Sequence, residues 1–138
     1  MEIRKYKKYH KKKKISKNEK ISAISLKKGF YGLKVIEAGI ITPKQLETLR
    51  RIIARITKRM GKILINVSFN HALTKKPLLS RMGKGSGNIH SWISYVKKGK
   101  ILIEIIGISE KLAIKALEAT QSRIALKLKV VKREIIDA

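Results

Sequence analysis

The chain contains no cysteine, only two prolines and no long apolar run. Without cysteine, disulfide bonds and thiolate metal sites are excluded. No apolar stretch approaches the roughly 18 residues that a membrane-spanning helix needs, so we expect no contact with a membrane. The amino terminus is rich in lysine and has no apolar h-region, so it does not predict a secretory signal. These absences exclude disulfide-rich, thiolate-metal and membrane-spanning classes of protein.

Acidic residues are also scarce. Only 9 Asp and Glu stand against 34 Lys and Arg, which gives a net charge of +25. Such self-repulsion destabilises a compact monomer unless a partner neutralises it. The 138 residues are 43% hydrophobic, enough for one domain that buries roughly two-thirds of its unfolded surface. We therefore expect a folded protein with a polyanionic partner, and nucleic acid is the commonest one.

The scarcity of acids argues against catalysis. General acid–base chemistry needs titratable groups that converge in a cleft, yet the only aspartate is Asp137 and the glutamates are scattered. His10, His71 and His90 show no metal-ligand spacing. Trp92 is more typical of a core aromatic than of a cofactor platform. The sequence predicts no enzyme, no cofactor and no metal site.

One glycine-rich stretch, SRMGKGSGNIHSW at Ser80–Trp92, invites comparison with nucleotide-binding loops. A Walker loop needs Gly-Lys-Ser/Thr, but Gly85 follows Lys84. A dinucleotide fingerprint needs a third glycine where Asn88 stands. Both motifs fail. A mobile surface loop and a basic finger laid on nucleic acid remain as interpretations.

Residues 1–20 form a basic amino-terminal arm that holds ten Lys and Arg and few apolar anchors. A solvated tail is one interpretation. Given the net charge, we favour an arm that becomes ordered along phosphates, with Tyr6 and Tyr9 stacking or packing.

The clearest predicted element is a helix that follows Thr42. Thr42 is suited to the N-cap, Pro43 to the first turn and Gln45 to a capping box. Apolar residues then follow at helical spacing until Gly61: Leu46, Leu49, Ile52, Ile53, Ile56 and Met60. The opposite face is almost purely basic, with Glu47 as its one acid: Lys44, Arg51, Arg55, Lys58 and Arg59. A merely solvated face would usually mix the two signs of charge, so this pattern favours binding to a polyanion.

The other elements are predicted from alternation and turn residues. We expect one or two short strands in 21–41, a strand over Ile63, Ile65, Val67 and Phe69, a polar stretch at Asn70–Lys76, and strands at Ile89–Val96 and Ile101–Ile106. The last two strands are predicted to form a hairpin through Lys97–Lys100. A second helix capped by Ser109 and a strand over Leu126, Leu128 and Val130 complete the chain. The prediction is an α+β fold: residues 21–138 as a single domain with a mostly antiparallel sheet and two helices, preceded by the arm at 1–20.

Several stretches resemble one family of large-subunit ribosomal proteins. KPLLSRMGKGSGNIHSWIS is similar to the signature of bacterial-type ribosomal protein L16, which usually contains K-P-x-x-x-R-M-G-K-G-K-G. KKYHKK, GFYGLK, RRIIARITKRMGKILINV and KKGKILIEIIGISEKLAIKAL extend the resemblance over nearly the whole chain in the same order.

The resemblance implies a structural protein of the large ribosomal subunit that binds its ribosomal RNA and supports A-site transfer RNA near the peptidyl-transferase centre. Neighbouring ribosomal proteins would be its other partners, and no homo-oligomer is expected. Candidate RNA-binding residues in the arm and helix are Lys5, Lys7, Lys8, His10, Lys11, Lys12, Lys13, Lys14, Arg50, Arg51, Arg55, Lys58, Arg59 and Lys62. The candidate loop facing ribosomal and transfer RNA comprises Arg81, Met82, Gly83, Lys84, Gly85 and Gly87.

The chain departs from the family pattern at four places. Where the family usually has a glycine in the arm, this chain has Lys12, and where it usually has a strand tryptophan, this chain has Leu64. Ser86 replaces a lysine of the loop, and His90-Ser91 replaces a common Glu-Tyr pair. Such drift without an import signal resembles an organelle-encoded copy, so a mitochondrial ribosome is expected, with a plastid or the bacterial cytoplasm as the alternative. A DNA-binding architectural (nucleoid) protein is the rival function, supported by charge alone.

Overall fold

Two four-stranded sheets and two helices form the fold in a computed structural model, which describes residues 8–12 and 25–133. The strands are β1 (Lys8–Tyr9), β2 (Tyr31–Val35), β3 (Gly39–Ile41), β4 (Lys62–Ile65), β5 (His71–Lys75), β6 (Asn88–Val96), β7 (Ile101–Ile106) and β8 (Leu128–Lys132). The helices are α1 (Pro43–Ile56) and α2 (Glu110–Gln121).

The strand order is β1-β5-β6-β3 in the first sheet and β4-β7-β2-β8 in the second. Every pairing among the described strands is antiparallel except that of β1 with β5, which is parallel. The α+β class with a mostly antiparallel arrangement is therefore confirmed, with two sheets in place of the single sheet that the sequence suggested.

The hydrophobic core joins the second sheet to both helices. β7 lies between β2 and β4, and its residues Ile101–Ile105 are all buried. A strand covered on both faces is expected to be almost continuously apolar, and Glu104 is the one charged residue in β7. α1 contributes Leu49 and Ile53, and α2 contributes Ala116 and Leu117, all without exposed surface.

Helix α1 begins as the sequence predicts. Thr42 Oγ1 accepts the N–H of Gln45 at 3.3 Å, and Gln45 Oε1 accepts the N–H of Thr42 at 3.0 Å. These reciprocal bonds satisfy two helix-terminal donors, and Pro43 needs no donor in the first turn. Leu46, Leu49 and Ile53 form its buried face, so its orientation on the sheet is fixed by the apolar positions read from the sequence.

Glu104 is a buried carboxylate in the middle of β7, with 1% of its surface exposed. Its oxygens accept the backbone N–H groups of Lys27, Lys28 and Gly29 at 3.3, 2.9 and 2.7 Å, and the Nδ2 group of Asn66 at 2.6 Å. Burial by itself raises the pKa of Glu104, but these donors lower it, and the net pKa is below its ordinary value. The carboxylate thus ties the segment before β2 to the second sheet.

Two predicted connections are wrong. The sequence predicts a polar stretch at Asn70–Lys76, but His71–Lys75 is β5, in which Ala72 is fully buried between β1 and β6. The predicted hairpin does not form either, because β6 and β7 belong to different sheets. Instead, the turn at Lys97–Lys100 bonds to the end of β2: Gly99 N–H donates to Val35 O at 2.8 Å, and Val35 N–H donates to Lys100 O at 2.9 Å.

Two predicted elements are shorter than expected. The strand predicted over Ile63–Phe69 ends at Ile65, after which Asn66 turns its side chain towards Glu104. The apolar helical stripe ends at Ile56, and Met60 is 54% exposed instead of packed in the core. Ser109 occupies the N-cap of α2 as predicted, but its side chain makes no capping hydrogen bond.

Candidate nucleic-acid interface

The exposed face of α1 carries the first group of predicted binding residues. Because Leu46, Leu49 and Ile53 face the core, Arg51 and Arg55 project to the opposite side and are exposed. Arg50 lies at the boundary and keeps 43% of its side chain exposed. The helix therefore presents guanidinium groups on a rigid support.

Glu47 organises two of these arginines. Arg50 donates to both carboxylate oxygens of Glu47, with Nε–Oε2 at 2.8 Å and Nη2–Oε1 at 2.7 Å, and Arg51 Nε donates to Oε1 at 3.1 Å. Side-chain hydrogen bonds from Arg50 and Arg51 lower the pKa of Glu47 to about 2. One carboxylate thus orients two guanidinium groups and leaves them a shared net positive charge. The sequence shows the i,i+3 and i,i+4 spacing, but not that both arginines use it together.

Lys58 and Arg59 lie beyond the helix, in a left-handed turn. α1 ends at Ile56, and Lys58 and Arg59 have φ of 50° and 63°. The N–H of Arg59 donates to Ala54 O at 2.9 Å, which closes the helix end. This turn folds both side chains back towards the arginines.

The helix face and the turn together line an open groove with a volume of about 640 Å³. We call it the basic groove, lined by Arg50, Arg51, Ala54, Arg55, Lys58 and Arg59. Five cations thus meet in one place. Lys58 and Arg59 were predicted on the helical face, but they reach the groove from the turn beyond the helix. Lys62 is exposed at the start of β4 and does not line this cavity. Phosphate groups are the natural ligands of such a cluster.

The second predicted site is the glycine loop, residues 76–87, which connects β5 to β6. Arg81 and Lys84 are exposed there, as is Met82 at 97%. Gly83, Lys84 and Gly85 all have positive φ, so the tip depends on conformations that glycine adopts most easily. Leu78 and Leu79 are 95% and 99% exposed, so the projecting tip offers apolar as well as charged groups.

The glycine loop is held close to β5 by two contacts. Lys76 Nζ donates to the carbonyl of Gly83. A Cβ atom at Gly87 would lie 2.5 Å from the carbonyl oxygen of Lys75, so only glycine permits this approach. The loop is thus held close to β5 at Gly83 and Gly87, while Leu78, Leu79 and Met82 remain exposed.

The predicted arm lies only partly within the described residues. Lys8 and Tyr9 pair with Ala72 and Leu73 as β1, while His10, Lys11 and Lys12 follow it and are exposed. Lys5, Lys7, Lys13 and Lys14, together with Tyr6, lie outside the described residues.

Tyr9 packs within its own chain. Its ring lies 5.1 Å from the ring of His71, which in turn lies 4.7 Å from the ring of Tyr95. The sequence favours a Tyr9 that stacks or packs along nucleic acid. In the structure its ring helps to fix β1 on the first sheet, and His10, which follows it, lies beside the glycine loop.

No group of metal-binding side chains occurs in the described parts of the chain. Among the same residues, no helix is long and apolar enough to cross a membrane.

The sequence as a whole matches the family model described as ribosomal protein L16p/L10e over residues 1–131. The chain belongs to the ribosomal protein L16p/L10e family. This confirms the resemblance seen in the signature stretch. Membership places the basic groove and the glycine loop in a family of structural ribosomal proteins.

Similar members of the L16p/L10e family come from bacteria, and each is named large ribosomal subunit protein uL16. The protein of Thermosipho melanesiensis is 39% identical over 132 residues, 96% of this chain and 92% of the relative. Those of Thermosipho africanus and Fervidobacterium nodosum are 45% and 43% identical over 108 residues, in each case 78% of this chain and 76% of the relative. The mitochondrial origin expected from the sequence finds no support in these bacterial relatives.

Proposed function

We propose that this chain is a structural component of the large ribosomal subunit and holds its ribosomal RNA through the basic groove and the arm. Five cations converging on one cavity, in a chain of the L16p/L10e family, carry this proposal. Arginine suits the task because its planar fork bonds two phosphate oxygens at once. Other ribosomal proteins are the expected neighbours, and the bacterial relatives favour a bacterial ribosome.

Glu47 prepares the groove for RNA. A free arginine must lose side-chain entropy when it binds phosphate, whereas Arg50 and Arg51 are already held by the carboxylate. The remaining positive charge is directed outwards, where the closely spaced phosphates of a folded RNA would neutralise it.

We assign the glycine loop to the functional centre of the subunit, where it would support A-site transfer RNA. Its exposed tip offers Arg81 and Lys84 for phosphate contacts without involving the core. Because the groove and the arm supply most of the phosphate contacts, loss of Arg81 should affect transfer RNA binding more than subunit assembly.

Subunit incorporation tests both assignments. Tagged variants are expressed beside the wild-type protein, and their share in purified large subunits is measured after sedimentation. We expect Arg51→Gln, Arg55→Gln and Arg59→Gln together to lower incorporation strongly. The control, Lys98→Gln, Lys111→Gln and Lys115→Gln, removes the same charge from exposed sites elsewhere and should incorporate normally. Equal loss of incorporation in both variants would show that only the net charge matters and not the position of the groove arginines. Migration of the wild-type protein with the nucleoid would favour a DNA-binding protein.

Arg81→Ala forms the second arm of this experiment. It should enter subunits nearly normally but slow A-site transfer RNA binding when rates are normalised to the amount of this protein present. Wild-type rates at full occupancy would contradict the assignment of the loop.

A further inference from the structure

A second cavity lies between the arm and the glycine loop. It has a volume of about 580 Å³, and its walls include His10 from the arm, Thr74 and Lys75 from β5, and Met82 from the loop. Cavities of a few hundred cubic ångströms are the usual size for small organic ligands. We call it the arm–loop cleft.

The cleft is assembled from segments that are far apart in sequence. Parallel pairing of β1 with β5 brings His10 beside the end of β5, and Thr74 Oγ1 donates to Tyr9 O at 3.4 Å. On the other side, the hydrogen bond from Lys76 Nζ to the carbonyl of Gly83 holds the loop over β5. The cleft therefore follows from sheet pairing and loop anchoring.

The lining combines positive charge with flat or polarisable surface. Lys75 and Lys76 are cationic, and no carboxylate occurs among those lining residues that the structure describes. Met82 borders the cleft, yet 97% of its surface is exposed, so its thioether has little packing within its own chain. Thioethers make favourable contacts with aromatic rings, and the imidazole of His10 offers a further flat surface.

We propose that the arm–loop cleft binds one unpaired nucleotide of RNA, with the base against Met82 and His10 and the phosphate near Lys75. This inference rests on the proposed function and adds to it the recognition of a base, beyond contacts to the phosphate backbone. Charge complementarity favours a nucleotide over an apolar ligand. Stacking of this kind tolerates any base, because every base has a π-face.

Two hairpin RNAs of equal length test the proposal with the full-length protein. One carries a single bulged adenosine and the other an abasic site at the same position, so the number of phosphates is identical. We expect the adenosine hairpin to bind roughly 5–150-fold more tightly, the range that corresponds to stacking of a base on an aromatic ring such as that of His10. Met82→Ala should reduce this ratio roughly 2–10-fold.

Leu79→Ala provides the matched control, because Leu79 is 99% exposed on the same loop but does not line the cleft. Its ratio should equal that of the wild type. An equal reduction of this ratio in Met82→Ala and Leu79→Ala would assign the effect to the loop tip in general and contradict the role of the cleft. Equal binding of the two hairpins by the wild type would overturn the proposed nucleotide site while leaving the proposed function intact. Salt-insensitive binding of both RNAs would instead count against the proposed function. AMP is then added at the same concentration as the hairpin RNA. Loss of the preference for the adenosine hairpin under this condition would show that the cleft takes a free nucleotide and would overturn the RNA assignment.

Discussion

At the scale of single residues, Glu104 shows how one acid in a strongly basic chain acquires a structural role. Its carboxylate accepts four donors from remote parts of the sequence and is almost fully buried. A buried carboxylate is tolerable only when its oxygens are satisfied in this way. The residue therefore stabilises the fold through its charge and its partners together.

Glu104→Gln should lower the free energy of unfolding by about 1–3 kcal/mol, because an amide group cannot accept all of these N–H groups. The pKa of Glu104 in the folded chain is below its ordinary value of 4.5, so its stabilising effect is present above that pH and is lost as pH falls through the folded pKa. Urea unfolding from pH 7 to pH 3 should show a steeper loss in the wild type than in Glu104→Gln. Glu118→Gln, at an exposed position of α2, is the control and should follow the wild type.

Local residue chemistry was readable from the sequence, but remote partners were not. Thr42 and Gln45 were predicted as a capping box because their bonds span only three residues. The role of Glu104 was missed because its partners lie 38 to 77 residues away. A charged residue inside the apolar run Ile101–Ile106 was the one available signal.

At the scale of elements, α1 has two faces with different roles: one packs in the core, and the other carries the basic residues proposed to bind RNA. Ile53→Ala should lower the free energy of unfolding by about 2–5 kcal/mol, because Ile53 has no exposed surface and its removal leaves a cavity. The control is Ile65→Ala, since Ile65 is 42% exposed at the end of β4 and should cost much less. Thermal unfolding followed by circular dichroism measures both. Similar losses would show that the buried face of α1 is wrongly assigned.

Elements with strong periodicity were predictable, and those whose stability depends on partners were not. α1 and β7 were read from apolar spacing, whereas β5 has a polar sequence and is stabilised by strands on both sides. Likewise, Lys97–Lys100 has the composition of a hairpin turn, but β7 pairs with β2 and β4. Five of the predicted RNA-binding residues line the groove, whereas Lys62 does not, and the left-handed turn that gathers Lys58 and Arg59 depends on the helix ending at Ile56.

At the scale of the whole molecule, the net charge of +25 predicts strong dependence of RNA binding on salt. If about 6–10 phosphates are bound, affinity for a structured RNA should fall about 10³–10⁵-fold between 50 and 200 mM salt. The triple groove variant should have a shallower slope, reduced by about 1 for each phosphate that it no longer binds. Filter binding at several salt concentrations gives both slopes. A flat response in the wild type would contradict the electrostatic account.

The strand order of the second sheet has a consequence for the synthesis of the chain. β2 is made early, but its two neighbours, β7 and β8, lie at Ile101–Ile106 and Leu128–Lys132. As the chain emerges amino terminus first, the arm and α1 leave the translating ribosome long before this sheet can close. The nascent chain therefore exposes its basic residues while still unfolded, and premature capture by any nearby polyanion competes with folding until β8 has emerged.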